Sequence, residues 1–229
     1  MQPSDWDKEI LLIDKPEGIT SFDVIRRIKR MMKDTGIVKL PKIGHGGTLD
    51  PMATGLMIIG IGKGTKKLND YLKLDKTYEA EIALGIRTDT SDITGNILES
   101  ISDTEIAKLN VNQEKVQEVL KSLEGEIELP VSVYSALKRS GKRLYEYARE
   151  GKIDQVEIPI RKMMVHKAVY ISFDNNQNKI KAAFDVGSGT YIRSLAEEIG
   201  KRLGTVATLS ALRRSKVGQF EIGDAKQLN

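Results

Sequence analysis

No stretch constrains the fold of this chain more than residues 44–62, where the glycine-rich loop GHGGTLDPMATG runs straight into the apolar GLMIIGIG. The apolar run reads as a buried strand, so the loop before it is tied to the core at one end. Gly44, Gly46 and Gly47 remove side chains where a ligand backbone could approach, and Pro51 biases Asp50 towards an extended conformation. A single carboxylate, five residues after His45, is thereby presented to whatever lies above it.

Further elements interleave without regular alternation. ILLID (10–14) reads as a strand, and Thr20 or Ser21 caps a helix with Val24, Ile25, Ile28, Met31 and Met32 on its apolar face. Residues 65–74 suit a short helix, and Tyr78, Ala80, Ile82 and Leu84 alternate as in a half-buried strand. Ser102 and Glu105 form a capping box, with a helical stripe at Val116, Val119, Leu120 and Leu123. Residues 125–152, basic and tyrosine-bearing, read as a mobile, RNA-contacting insertion. Strands are predicted at about 163–173 and 179–186, then a helix in GSGTYIRSLAEEIGKRLG with Gly204 at its C-terminal cap. This order favours an α+β fold, a mixed, largely antiparallel sheet with flanking helices, over a doubly wound one. One domain over 1–229 is expected.

Composition removes several chemistries. With no cysteine and only His45 and His166, thiol nucleophiles, disulfides and a cysteine or histidine metal cluster drop out, so no metal is expected. GIGKGT (60–65) lacks the Ser or Thr after its lysine that a phosphate loop needs, and no GxGxxG or GxSxG is present, so no nucleotide cofactor is expected. The RTDTSD segment lacks calcium-loop spacing and reads as a solvated turn. His166 reads as structural. The N-terminus fits neither a secretion signal nor a membrane span, making a cytoplasmic location the default.

The net charge is +4, but basic residues gather in 26–33, 62–67, 138–143 and 212–216 while acids gather between Glu99 and Glu128. Such segregation suits a polyanion such as nucleic acid. Solvated faces of amphipathic helices account for any one cluster equally well.

Taken together, GHGGTLDPMATG, GKGTKKLNDYLKLDKTYEAEIALGIRTDTSDITG, YSALKRSGKRLYEYAREG, GSGTYIRSLAEEIGKRLG and LRRSKVGQF resemble the TruB family, the tRNA pseudouridine synthase B enzymes. The resemblance runs from residue 11 to about residue 220. It implies an isomerase that detaches uracil from C1′ of uridine 55 in the tRNA T loop, turns the base over and rejoins it through C5, with no cofactor. It also implies roles residue by residue. Asp50 matches the catalytic aspartate, ionised at neutral pH and able to act as a nucleophile; attack on the sugar and attack on the ring both remain open. Arg193 matches the arginine that pairs with the aspartate, and Tyr78 the tyrosine that stacks on the target base. His45 matches the histidine that fills the space left by the flipped base. Tyr191 and Leu212 match pocket residues. Extruding a base costs on the order of a few kcal/mol, and aromatic stacking returns about 1–3 kcal/mol.

Two departures stand out. Where the family usually has two prolines before YSA, this chain has Val131-Ser132-Val133, predicting a less rigid loop. Members often continue into a small C-terminal RNA-binding domain, whereas this chain ends soon after Phe220, as a compact variant or an incomplete chain. A monomer that binds the T stem-loop of tRNA is the expectation, and a noncatalytic RNA-binding or RNA-folding protein on the same scaffold is the alternative.

Overall fold

A computed structural model of the chain describes residues 3–135 and 137–228; Ala136, inside the YSALKRSGKR motif of the predicted insertion, lies outside the described residues. In chain order the elements begin with strand β1 (Ile10–Lys15), helix α1 (Ser21–Asp34), β2 (Ile43–His45), β3 (Thr54–Ile61), α2 (Leu68–Leu72) and β4 (Lys76–Leu84). Next come β5 (Ile86–Thr88), β6 (Ile97–Ser100), α3 (Asp103–Lys108), α4 (Gln113–Ser122), β7 (Gly125–Pro130), the two-residue strands β8 (Lys138–Arg139) and β9 (Lys142–Arg143), and α5 (Leu144–Arg149). Last are β10 (Ile160–Asp174), β11 (Lys179–Val186), α6 (Ile192–Leu203), β12 (Ala207–Val217), β13 (Phe220–Glu221) and β14 (Lys226–Gln227).

Ala80–Ala211 forms one compact unit, and the described residues on either side of it form the other. Strands β4 and β12 contribute residues to both units. In the unit built from the two chain ends, the strand order is β14–β1–β3–β12, continued by the start of β4, with β2 on β3 and β13 on β12. β1 and β2 run antiparallel to β3, whereas β12 meets β3 in parallel, Arg213 opposite Thr54 and Arg214 opposite Gly55. The uninterrupted apolar run of β3 follows from burial on both faces: Leu56 and Ile58 pack with Val217, and Met57 and Ile59 point the other way, equally buried. Helix α1 begins at a full capping box, Thr20 receiving the Asp23 amide while the Asp23 carboxylate receives the Thr20 amide. It buries Val24, Ile25, Ile28 and Met32.

In the central unit the order is β12–β4–β11–β10–β7. β11 and β7 lie antiparallel on either side of β10. The capping box at Ser102 and Glu105 starts α3, and Gly204, at φ 84°, ends α6 in the left-handed conformation. The architecture is therefore α+β with a mixed, largely antiparallel sheet, as expected.

Three features differ from the expectations of the sequence. β7 occupies the start of the segment expected to be a mobile insertion, pairing Gly125–Pro130 with β10; the rest carries the β8–β9 turn and α5. The alternation Glu126-Ile127-Glu128-Leu129 is a strand signal masked by its charges. The RTDTSD turn is not solvated at Asp92, which is 5% exposed and accepts from Thr90 Oγ1 at 2.9 Å and the Thr94 amide at 3.0 Å. Finally, β12 is a long strand where the sequence alone marks only a basic motif.

Candidate active site

Three cations are buried on backbone carbonyls in the unit built from the two chain ends, and two of them, Arg214 and Lys15, hold the Asp50 loop. Arg214, 2% exposed, donates from Nε to the Leu56 carbonyl at 2.7 Å, from Nη1 to Thr48 at 3.3 Å and from Nη2 to Gly47 at 3.3 Å. Lys15, fully buried, places its ammonium on the carbonyls of Ile19 at 2.8 Å, Pro16 at 2.9 Å and Pro51 at 3.2 Å. Lys76, 8% exposed, caps α2 through the carbonyls of Leu72 at 2.7 Å and Leu74 at 2.5 Å. From the other direction, Ser21 at the start of α1 both donates to the Leu49 carbonyl at 2.9 Å and accepts from the Leu49 amide at 2.8 Å. Pro51 follows Asp50 at the second position of a turn closed by the Ala53 amide on the Asp50 carbonyl at 3.1 Å. Asp50, half-buried, therefore sits between a residue held on both backbone groups and a proline whose carbonyl is held by Lys15 and by the Gly18 amide.

The glycines serve the loop differently from the expectation that they admit a ligand. A side chain at Gly44 would meet Leu68 at 2.9 Å and one at Gly46 would meet Tyr71 at 3.0 Å, so the space is taken by the protein's own packing. Gly47, at φ 145°, carries a backbone that L side chains rarely adopt and faces the Arg214 guanidinium.

Burial sets the electrostatics. It lowers the Lys15 pKa to about 8, with Asp50 and Glu17 opposing, and lowers Lys76 to about 8, reinforced by Arg214. His45 lies half-buried on β2; burial first, and then the Arg214 charge, hold the imidazole below its usual range and favour its neutral form, against a backbone hydrogen bond with Gly47. Tyr78 is buried on β4, and Leu212 is buried on the neighbouring strand β12. Asp50, His45, Tyr78 and Leu212 thus belong to the same unit.

Tyr191 and Arg193 belong to the central unit. Tyr191 precedes α6 and is half-buried, while Arg193 in the first turn is 5% exposed. Its guanidinium donates to the carbonyls of Thr90 at 3.0 Å and Tyr134 at 3.1 Å. The preceding loop is fixed at Ser91, which adopts φ 60° and donates to Glu197 on α6 at 2.8 Å. His166 is exposed on β10.

A family model described as TruB family pseudouridylate synthase (N terminal domain) matches residues 33–192. The chain belongs to this family. Among TruB relatives, it is 44% identical over 220 residues to the tRNA pseudouridine synthase B of Caldicellulosiruptor saccharolyticus, covering 96% of this chain and 71% of the relative. The enzyme of that name from Endomicrobium trichonymphae is 41% identical, with 94% of this chain and 87% of the relative covered. Among solved structures, the Cbf5-Nop10-Gar1 complex aligns with a TM-score of 0.67 at 29% identity, over 93% of this chain and 49% of that one. An H/ACA RNP bound to a substrate RNA containing 2′-deoxyuridine aligns at 0.66 and 25% identity, over 100% of this chain and 57% of that one. The chain spans about half the length of those structures.

Sequence reasoning missed Lys15 and Arg214 as supports of the Asp50 loop and Lys76 as the cap of α2. A signal was present: each extends the buried face of its strand by one step, after Leu11 and Ile13, before Tyr78 and Ala80, and after Leu212.

Proposed function

We propose that this chain is a tRNA pseudouridine synthase that isomerises uridine 55 in the T loop of tRNA, acting as a cytoplasmic monomer with Asp50 as the nucleophile. The observation that carries this reading is the half-buried carboxylate of Asp50 in a loop clamped by Arg214, Lys15 and Ser21, in a chain of the pseudouridylate synthase family. The N1–C1′ bond breaks, the C5–C1′ bond forms, C5 loses its proton and N1 gains one, so the reaction balances without redox change or donor. A nucleophile that must reach an everted nucleoside needs a fixed position more than mobility, and the hydrogen bonds of the loop supply it. Tyr78 stacks on the base, His45 occupies the vacated space in the RNA, and Tyr191, Arg193 and Leu212 bind the substrate. A neutral His45 fits that role, since an uncharged ring enters a stacked loop at lower desolvation cost than an imidazolium.

Tritium release from a T stem-loop transcript labelled at C5 tests the reading. The wild type releases tritium in EDTA without nucleotide, and Asp50→Asn, with an unchanged circular dichroism spectrum, releases none. Failure of the wild type at enzyme excess would favour a noncatalytic RNA-binding protein.

A further inference from the structure

The four basic clusters of the sequence fare differently once folded. In 212–216, Arg214 is buried, Arg213 pairs with Asp14 at 2.8 Å and Lys216 pairs with Glu221 at 3.0 Å. In 138–143, Lys142 pairs with Glu150 and Arg143 lies over the Tyr145 ring. In 62–67, Lys67 pairs with Glu9 at 2.9 Å. Among the described residues, Lys63 and Lys66 of 62–67 and Lys138 and Arg139 of 138–143 also have no carboxylate at ion-pair distance, but α1 gathers its cations on one continuous helix. Arg26 pairs with Asp23, but among the described residues Arg27, Lys29, Arg30 and Lys33 have no carboxylate at ion-pair distance.

These side chains are ordered on the helix. Phe22, Arg26, Arg30 and Lys33 follow one another at spacings of four, four and three, forming a single stripe with Arg27 beside it. The stripe is about 16 Å long at the helical rise. Phe22 is 58% exposed at its start, with the Arg26 guanidinium 5.3 Å above the ring. The stripe starts one residue from Ser21, whose hydroxyl holds Leu49 beside Asp50.

We propose that the solvent face of α1 is a docking strip for the sugar-phosphate backbone of duplex RNA, engaging a helical part of the substrate outside the everted loop. This rests on the proposed function. A row of cations on a rigid, convex helix, of which Arg26 alone has an acid partner, matches a regular phosphate array and offers no groove to a peptide. An anionic membrane fits less well, because the apolar side that a surface-lying helix would insert is buried here at Val24, Ile25, Ile28 and Met32.

The test is binding of a full-length tRNA transcript between about 50 and 200 mM salt by the wild type and by the Arg27→Gln/Arg30→Gln/Lys33→Gln variant. The slope of log affinity against log salt flattens by about 2–3 in the variant, at roughly 0.9 for each duplex phosphate no longer neutralised. Replacing Arg27 and Arg30 by Glu weakens binding of the tRNA transcript further, with the circular dichroism spectrum unchanged. An unchanged slope with normal circular dichroism overturns the strip. So does loss of binding to phosphatidylserine vesicles with an unchanged RNA slope, which would assign the face to a membrane. Absence of tritium release by the wild type would instead overturn the proposed function, and the slope comparison would still read the strip.

Discussion

The two units carry equal numbers of cations but differ in net charge. The unit made from both chain ends holds 18 Lys and Arg against 13 Asp and Glu, a net of +5; the central unit holds 18 against 19, a net of −1. In the central unit, cations meet carboxylates at the surface: Arg87 with Glu99, Lys162 with Glu126, Lys179 and Lys181 with Glu81, and Arg202 with Glu198. In the other unit, three cations are buried on backbone carbonyls and α1 leaves four without an acid. Both units pair cations with acids at the surface and bury cations on carbonyls, Arg193 being the central unit's example, but only the unit of the chain ends is left with a net positive charge available to a polyanion.

Arg214→Met breaks this contrast most severely. Three carbonyls, those of Gly47, Thr48 and Leu56, lose their donor together, which destabilises the fold by about 3 kcal/mol or more. The midpoint of urea unfolding checks it, and a shift under about 0.5 kcal/mol would show that the clamp carries little of the loop's energy. Lys15 gives the next largest effect, through pH. Below its pKa of about 8 the ammonium has a proton for each of three carbonyls; above it one goes without, and the positive charge facing Asp50 is gone. Turnover therefore falls on the alkaline side with a midpoint near pH 8, and Lys76→Gln leaves that limb in place.

Stability moves the other way. Because the folded pKa of Lys15 lies below its ordinary value of 10.5, the unfolded chain binds more protons between pH 8 and 10.5, and the fold gains stability as pH rises through that window. Opposite trends in turnover and unfolding midpoint separate a positioning role from general packing. The smallest effect belongs to the central unit: Lys162→Gln, which removes an exposed pair with Glu126, changes stability by under about 0.5 kcal/mol. A larger loss there would erase the distinction between the units.

Much of the scaffold is legible in the sequence because period and capping agree. Thr20 with Asp23, Ser102 with Glu105 and Gly204 mark ends of α1, α3 and α6 with side chains whose function is local. β1, β3 and β4 announce themselves by apolar runs and alternation. What stays hidden is charge turned inward. Arg214 looks like a phosphate ligand and Asp92 like a solvated turn residue, since their carbonyl and hydroxyl partners lie on segments distant in sequence or on neutral residues that carry no signal. β7 and β12 are obscured for the same reason: Glu126 and Glu128 in one, and Arg213, Arg214 and Lys216 in the other, mask the strand pattern.

The clamp on the Asp50 loop comes from far along the chain: Arg214 reaches Gly47 across 167 residues and Thr48 across 166. During synthesis, the nascent polypeptide displays its acid long before the ribosome has made the guanidinium that holds it. Translation itself thus withholds the finished loop until β12 has emerged, and a product truncated before β12 carries the nucleophile without this brace.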